Sequence, residues 1–313
     1  MDNKVLQDLS IIVKTFLRPD MLDSFLKSVS DYQKKHNIKF PEVLVGDDSP
    51  EEIIEENKKV VAKYPDVNIN FQAFEFNIGL AEGRNRLVDI VKTKYFLLCD
   101  DDVLLDIDSN FEDVIKVLEK KNLDIYGGWW KNQYNMSTGE YEERGFVAKF
   151  IEYDNNLILN VDEFCIPEFA YTHCMMNYFI AKTDIVKKYP WDNEMKTQEH
   201  YIFFYEAWKN NVKMAVGKEL FAKHRMRTEN PTYNLYRNDI NKKEYVIKMA
   251  DKANVKNWDI CYFRKGLAVT WSINTEERTS VIKHYKEVIK EKKKKKKKSL
   301  FKRIFRIKKK KSA

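Results

Sequence analysis

Along the first hundred residues, short apolar runs alternate with segments whose apolar positions recur every three or four residues. The runs LSIIVK (9–14), EVLVG (42–46), NINFQAF (68–74) and KYFLLC (94–99) are rich enough in Val, Ile, Leu and Phe to predict buried strands. Between them, residues 20–35 place Met21, Leu22, Phe25, Leu26 and Val29 on one helical face, with Pro19 suited to a first turn. Residues 50–63 and 80–92 follow the same period. This alternation predicts an α/β sheet flanked by helices.

Beyond residue 103 the pattern is mixed. It predicts a helix at 108–121, strands at 124–130, 144–152, 177–182 and near 213–222, a helix over about 195–209, and a polar turn from Ser137 to Glu140. The remainder up to residue 291 reads as helical.

Three strands end in polar residues: Thr15 with Arg18, Asp47 with Asp48, and Asp100, Asp101 and Asp102. Ligands of open α/β sheets sit at the carboxyl ends of strands, so three such ends on one edge predict a nucleotide site. Adjoining carboxylates repel one another unless a cation neutralises them. Mg²⁺ or Mn²⁺, which take oxygen ligands from carboxylates and substrate phosphates, suits the run; a solvated acidic turn is the alternative. The segment GLAEGRNRLVDIV (79–91) opens a helix with two glycines, but its spacing fits neither GxGxxG nor a P-loop.

Charge changes the picture mainly by its distribution. The net charge is +8, yet residues 290–313 hold fifteen Lys and Arg against Glu291, which leaves residues 1–289 at −6. An acidic body argues against a phosphate-backbone footprint, so no nucleic acid is expected. Cys99, Cys165, Cys174 and Cys261 form no CxxC pair and read as buried thiols of a reducing compartment. No apolar stretch approaches the length of a membrane span, and the first residues lack a secretory core, so a cytoplasmic protein is expected. The tail, residues 292–313, puts Leu300, Phe301, Ile304 and Phe305 on one face among Lys and Arg, which predicts peripheral contact with an anionic membrane. A solubilising tail or a nucleic-acid tether are the alternatives.

The blocks IIVKTFLRP, VLVGDDS, NIGLAEGRN, YFLLCDDD, NYFIAKTD and KTQEHYIFF occur in the order and spacing of family 2 glycosyltransferases of GT-A fold. They look most like the β-1,4-N-acetylgalactosaminyltransferase branch, and the resemblance runs from about residue 10 to 225. It implies a GT-A mixed central sheet, with residues 1–102 as the nucleotide-sugar-binding half and 103–225 as the acceptor-binding, catalytic half. A helical segment (226–291) and the basic tail (292–313) would follow. It also implies metal-dependent, inverting transfer from a UDP-sugar, with N-acetylgalactosamine favoured, to a glycan or glycolipid.

Carried over by position, Thr15 and Arg18 would line the nucleotide pocket, Asp47 would meet the uracil, Asp48 the ribose side, and Arg84 the nucleotide. Asp100 would face the ribose or sugar, Asp101 would belong with the donor-binding residues, and Asp102 would bind the metal. Glu199 resembles the family's catalytic base; a carboxylate stabilising its own helix dipole is the alternative. His224 would complete the metal shell, while Trp191, Asp192 and His200 would touch sugars. Trp129 and Trp130 read as packing residues. A nucleotidyltransferase is the rival enzyme, although VKTFLRPD lacks the glycines of its N-terminal loop. A nonenzymatic adaptor using the basic tail is the rival of another class.

Overall fold

The structure is a computed structural model that describes residues 5–133, 141–163, 166–225, 230–238, 242–264 and 267–271. A 3₁₀ turn, Val5–Asp8, leads into β1 (Leu9–Thr15), α1 (Pro19–His36), β2 (Val43–Asp47), α2 (Glu51–Val61), β3 (Ile69–Ala73), α3 (Leu80–Ile90) and β4 (Tyr95–Asp100). The chain continues through β5 (Val103–Leu105), α4 (Phe111–Lys120), β6 (Ile125–Gln133), β7 (Tyr141–Arg144), β8 (Phe146–Tyr153), β9 (Asn156–Glu163) and β10 (Phe169–Tyr171). After these come β11 (Phe179–Lys182), α5 (Thr183–Lys188), α6 (Glu199–Lys209), β12 (Met214–His224), α7 (Pro231–Asn238), α8 (Lys242–Lys252), β13 (Asn257–Arg264) and β14 (Leu267–Trp271).

The larger sheet runs β10-β12-β6-β11-β4-β1-β2-β3, with β5 alongside β12 and β7 alongside β6. β3, β2, β1 and β4 are parallel. β11 is antiparallel to both β4 and β6, so the sheet is mixed. The chain winds outward from β1 to β3 and then returns to the other side of β1 as β4. Such a reversal opens a crevice at the carboxyl ends of the strands. Register aligns those ends: Thr15 lies opposite Asp47, and Lys14 lies opposite both Gly46 and Asp100.

All seven residues of β1 and all five of β2 are buried, so both faces of these strands need cover. Leu9, Ile11, Val13, Tyr95, Leu97 and Cys99 pack with α1 and α4. By the two-residue period, Ile12, Lys14, Phe96, Leu98 and Asp100 face the other way, and the Lys14 stem meets α3 at Gly83. α1 buries Met21, Leu22, Phe25, Leu26 and Val29, and it ends at Asn37, whose left-handed backbone donates to the carbonyls of Gln33 and Lys34. α4 starts where the Asn110 side chain accepts from the Asp113 N–H at 3.1 Å.

Residues 226–291 are not uniformly helical. α7 and α8 agree with the expected helices, but β13 and β14 join β9 and β8 in a second sheet of order β14-β13-β9-β8. The segment NWDICYFR is aromatic and β-branched, and it pairs in parallel with β9, whose edge is otherwise open. Trp258 is fully buried there against Phe150 and Tyr205 of α6. Cys99, Cys174 and Cys261 are buried, and Cys165 lies outside the described residues. No helix among the described residues is long and apolar enough to cross a membrane. The turn at Ser137 to Glu140 and the tail lie outside the described residues.

Candidate active site

A cleft of about 470 Å³ opens at the carboxyl ends of β1 and β4, a volume in the range of small-ligand sites. Its walls include Thr15, Arg18, Asp48, Asp100 and Asp102 on the sheet side, Lys196 to Tyr201 at the start of α6, and Tyr233 and Tyr236 of α7.

On the sheet side each carboxylate has a cation supplied by the chain itself. Arg18, just before α1, donates from Nη1 to Asp102 Oδ2 at 3.1 Å and from Nη2 to Asp101 Oδ1, and its guanidinium lies 4.5 Å from the Tyr233 ring centre. Thr15 donates to the other Asp101 oxygen at 2.8 Å. Asp101 is wholly buried and faces inward. Burial raises its carboxyl to about 6; the Arg18 charge opposes that rise and the neighbouring Asp102 adds to it. Lys14 pairs with Asp48, and burial pulls the Lys14 ammonium below its ordinary value. Asp48 also accepts from the Gly79 N–H at 3.1 Å, which a φ of +98° at Gly79 allows.

Glu199 is the first residue of α6, buried to 3% exposure, and follows Gln198, whose φ of +57° is a strained backbone at the cleft. Arg84 Nη1 donates to Glu199 Oε1 at 2.8 Å, and Arg84 Nη2 donates to Asp100 Oδ1 at 2.6 Å. His200 Nδ1 lies 3.7 Å from the same Glu199 oxygen. Burial alone would raise the Glu199 carboxyl, but His200 and Arg84 outweigh it and hold the group at about 2. It is therefore a carboxylate through the neutral range.

Among the described residues no three His, Cys, Asp or Glu side chains form a ready metal-ligand group. Two do fit one ion. His224 Nε2 lies 3.8 Å from Asp102 Oδ1, a span that two ligands about 2.1 Å from a common divalent ion can subtend. His224 stacks on Trp130 at 4.5 Å, and its Nδ1 meets Asn132 Oδ1 at 2.6 Å. With Nδ1 donating to that amide oxygen, Nε2 presents its lone pair toward Asp102.

Thr15, Arg18, Asp48, Asp100, Asp102, Glu199 and His200 therefore meet in one cleft. Asp47 does not line it. Its two oxygens are taken by the Ser49 N–H and the Asn57 amide, at 2.9 and 2.7 Å. Arg84 is 1% exposed and reaches the carboxylates from behind. Trp191 is buried against Phe203, and Asp192 pairs with Lys252 at 2.6 Å, so neither lines the cleft. Trp129 stacks on Phe221 and Trp130 on His224, which are packing roles. Lys14, Lys196, Tyr233 and Tyr236 line the cleft without having been anticipated. For Lys14 a signal was present: a lysine inside the run IIVKT must find a buried partner.

The sequence profile of glycosyl transferase family 2 matches residues 10–182, over half of the chain. Beta-1,4 N-acetylgalactosaminyltransferase 2 of Mus musculus is 27% identical over 216 residues, which are 66% of this chain and 37% of that protein. Beta-1,4 N-acetylgalactosaminyltransferase 1 of Homo sapiens is 27% identical over 215 residues, 63% of this chain and 35% of that one. The match thus spans little more than a third of these mammalian relatives. An uncharacterized glycosyltransferase of Methanocaldococcus jannaschii is 24% identical, with 69% of this chain and 70% of that one covered. Among solved structures, S. aureus TarS 1–349 in complex with UDP-GlcNAc superposes with a TM-score of 0.50 at 18% identity, covering 71% of this chain and 59% of that one. That likeness concerns the fold, a GT-A arrangement of mixed sheet and flanking helices. Read with the profile, it leaves one assignment: the chain belongs to glycosyl transferase family 2.

Proposed function

We propose that the protein transfers a sugar from a UDP-sugar to a hydroxyl of a glycan or glycolipid, with inversion at the anomeric carbon and Glu199 as general base. The observation that carries this reading is the shared cleft: Asp100 and Asp102 line one wall and Glu199 the other. Phosphates at the strand ends and a proton acceptor at the start of α6 then face a common volume. The acceptor oxygen attacks the anomeric carbon, Glu199 takes the hydroxyl proton, and the bond from that carbon to the β-phosphate oxygen breaks to release UDP. A single displacement needs no covalent nucleophile.

Thr15, Arg18 and Asp48 serve the nucleotide side in this reading, and Asp100 the donor sugar. Asp102 and His224 would hold Mn²⁺ or Mg²⁺, which when bound neutralises charge on the departing diphosphate. N-acetylhexosamine donors come first: the mammalian relatives are N-acetylgalactosaminyltransferases by name, and TarS was solved with UDP-GlcNAc. Surface polysaccharide or lipooligosaccharide synthesis at the inner face of a membrane suits the basic tail, whose cations favour anionic lipid.

The test is UDP release from UDP-N-acetylgalactosamine, UDP-N-acetylglucosamine, UDP-galactose and UDP-glucose, with Mn²⁺, with Mg²⁺ and with EDTA. Release from one donor that EDTA stops is the expected outcome. Full release in EDTA would remove the metal from the reading, and no release from any donor would remove the UDP-sugar.

A further inference from the structure

We propose that Arg84 is a positioning residue for the proton-accepting carboxylate, clamping Glu199 to Asp100 from behind the cleft, and is not a nucleotide contact. The inference rests on Glu199 being the base.

The geometry is specific. Arg84 sits on α3, at 1% exposure, with no face on the cleft. One terminal nitrogen donates to Glu199 at 2.8 Å and the other to Asp100 at 2.6 Å, while Nε has no partner among the described residues. The guanidinium carbon lies 5.6 Å from the Trp191 ring centre. A planar fork of this kind sets direction as well as distance. It joins the end of β4 to the first turn of α6. Glu199 begins a helix entered through the strained Gln198, so its carboxylate needs an external hold to keep one orientation. The other titratable groups along the cleft, tyrosines aside, are His200 on α6 and Lys14, Arg18, Asp48, Asp102 and Lys196. Arg84 is the one that contacts both carboxylates.

The test uses the full chain and three variants, Arg84→Lys, Arg84→Gln and Glu199→Gln. Lysine keeps the charge but cannot span two carboxylates in a fixed fork. In Arg84→Lys, kcat for UDP release is expected to fall about 10- to 100-fold, with UDP affinity within about twofold of wild type. Added to Glu199→Gln, the same change should alter kcat less than about twofold, because the group it acts through is gone. Carboxyl ¹³C NMR, with Glu199 assigned by its loss in Glu199→Gln, gives a readout independent of turnover. In Arg84→Gln the Glu199 titration should move up by about one unit or more.

Weaker UDP binding with unchanged kcat in Arg84→Lys would make Arg84 a nucleotide contact and overturn the proposal. So would full additivity with Glu199→Gln, or a Glu199 titration that stays put. If Arg84→Gln does not fold, titration and kinetics of Arg84→Lys decide. Normal transfer by Glu199→Gln would instead remove the base assignment, while the titration would still report the clamp.

Discussion

Arg18 on the cleft wall and Arg84 behind it each hold two carboxylates, yet the two clusters differ electrostatically. Asp101 and Asp102, which share Arg18, are adjacent in sequence, and Asp101 is raised by its burial and by that neighbour to about 6. Asp100 and Glu199, which share Arg84, come from different elements, with the guanidinium between them. Glu199 is as buried as Asp101, but His200 and Arg84 hold it at about 2. Glu199 has His200 beside it as well as Arg84, whereas Arg18 is the cation that lowers Asp101, so both the partners and their placement separate the clusters. Two acids on consecutive residues repel at short range, whereas two acids on opposite sides of one arginine are each attracted to it. The Arg18 cluster sets two adjoining carboxylates on one arginine, whereas the Arg84 cluster keeps its two on separate elements.

Substitutions can break this comparison. The largest effect is expected for Glu199→Gln, which should lower transfer about 10³-fold while UDP still binds by calorimetry. A loss confined to UDP binding would place Glu199 in the wrong cluster. Next, Arg18→Met leaves Asp101 buried without its cation and should cost about 3 kcal/mol, read as a lower Tm. An unchanged Tm would mean that Asp101 is already neutral in the folded protein. The smallest effect belongs to His200→Asn. A depressed Glu199 carboxyl adds stability above its unfolded value, and that stability is lost as pH falls toward about 2. Removing His200 raises the folded value, so the acid-unfolding midpoint followed by circular dichroism should move up by about half a pH unit. No movement would leave Arg84 as the whole cause.

The part of the fold nearest the site was legible because its signals are local. Continuous apolar runs gave β1, β2, β3 and β4, and a helical stripe gave α1, each within a few residues of its observed ends. The convergence of Thr15, Asp48 and Asp100 followed from strand ends alone. What was illegible depends on distant partners. Arg84 lies 115 residues from Glu199 and 16 from Asp100, so nothing near it reveals a clamp. Asp47 and Asp48 are neighbours of one type, and only the Asn57 amide shows which of them turns away from the cleft. β5 has three residues, too short for a periodic signal, and NWDICYFR takes its strand form from the edge of β9.

The pairing of β5 with β12 has a consequence for dissection of the chain. Val103 lies opposite His224 and Leu105 opposite Ala222, so the residue after Asp102 is zipped directly to one encoded 121 positions later. The acidic strand end and its histidine are thus one mechanical piece despite their separation in sequence. A fragment cut after β11 would keep every strand of the parallel layer and still lose the strand that pairs just beyond Asp102. The smallest piece that holds this strand end together runs through Arg225, whose N–H donates to the Asp102 carbonyl at 2.8 Å.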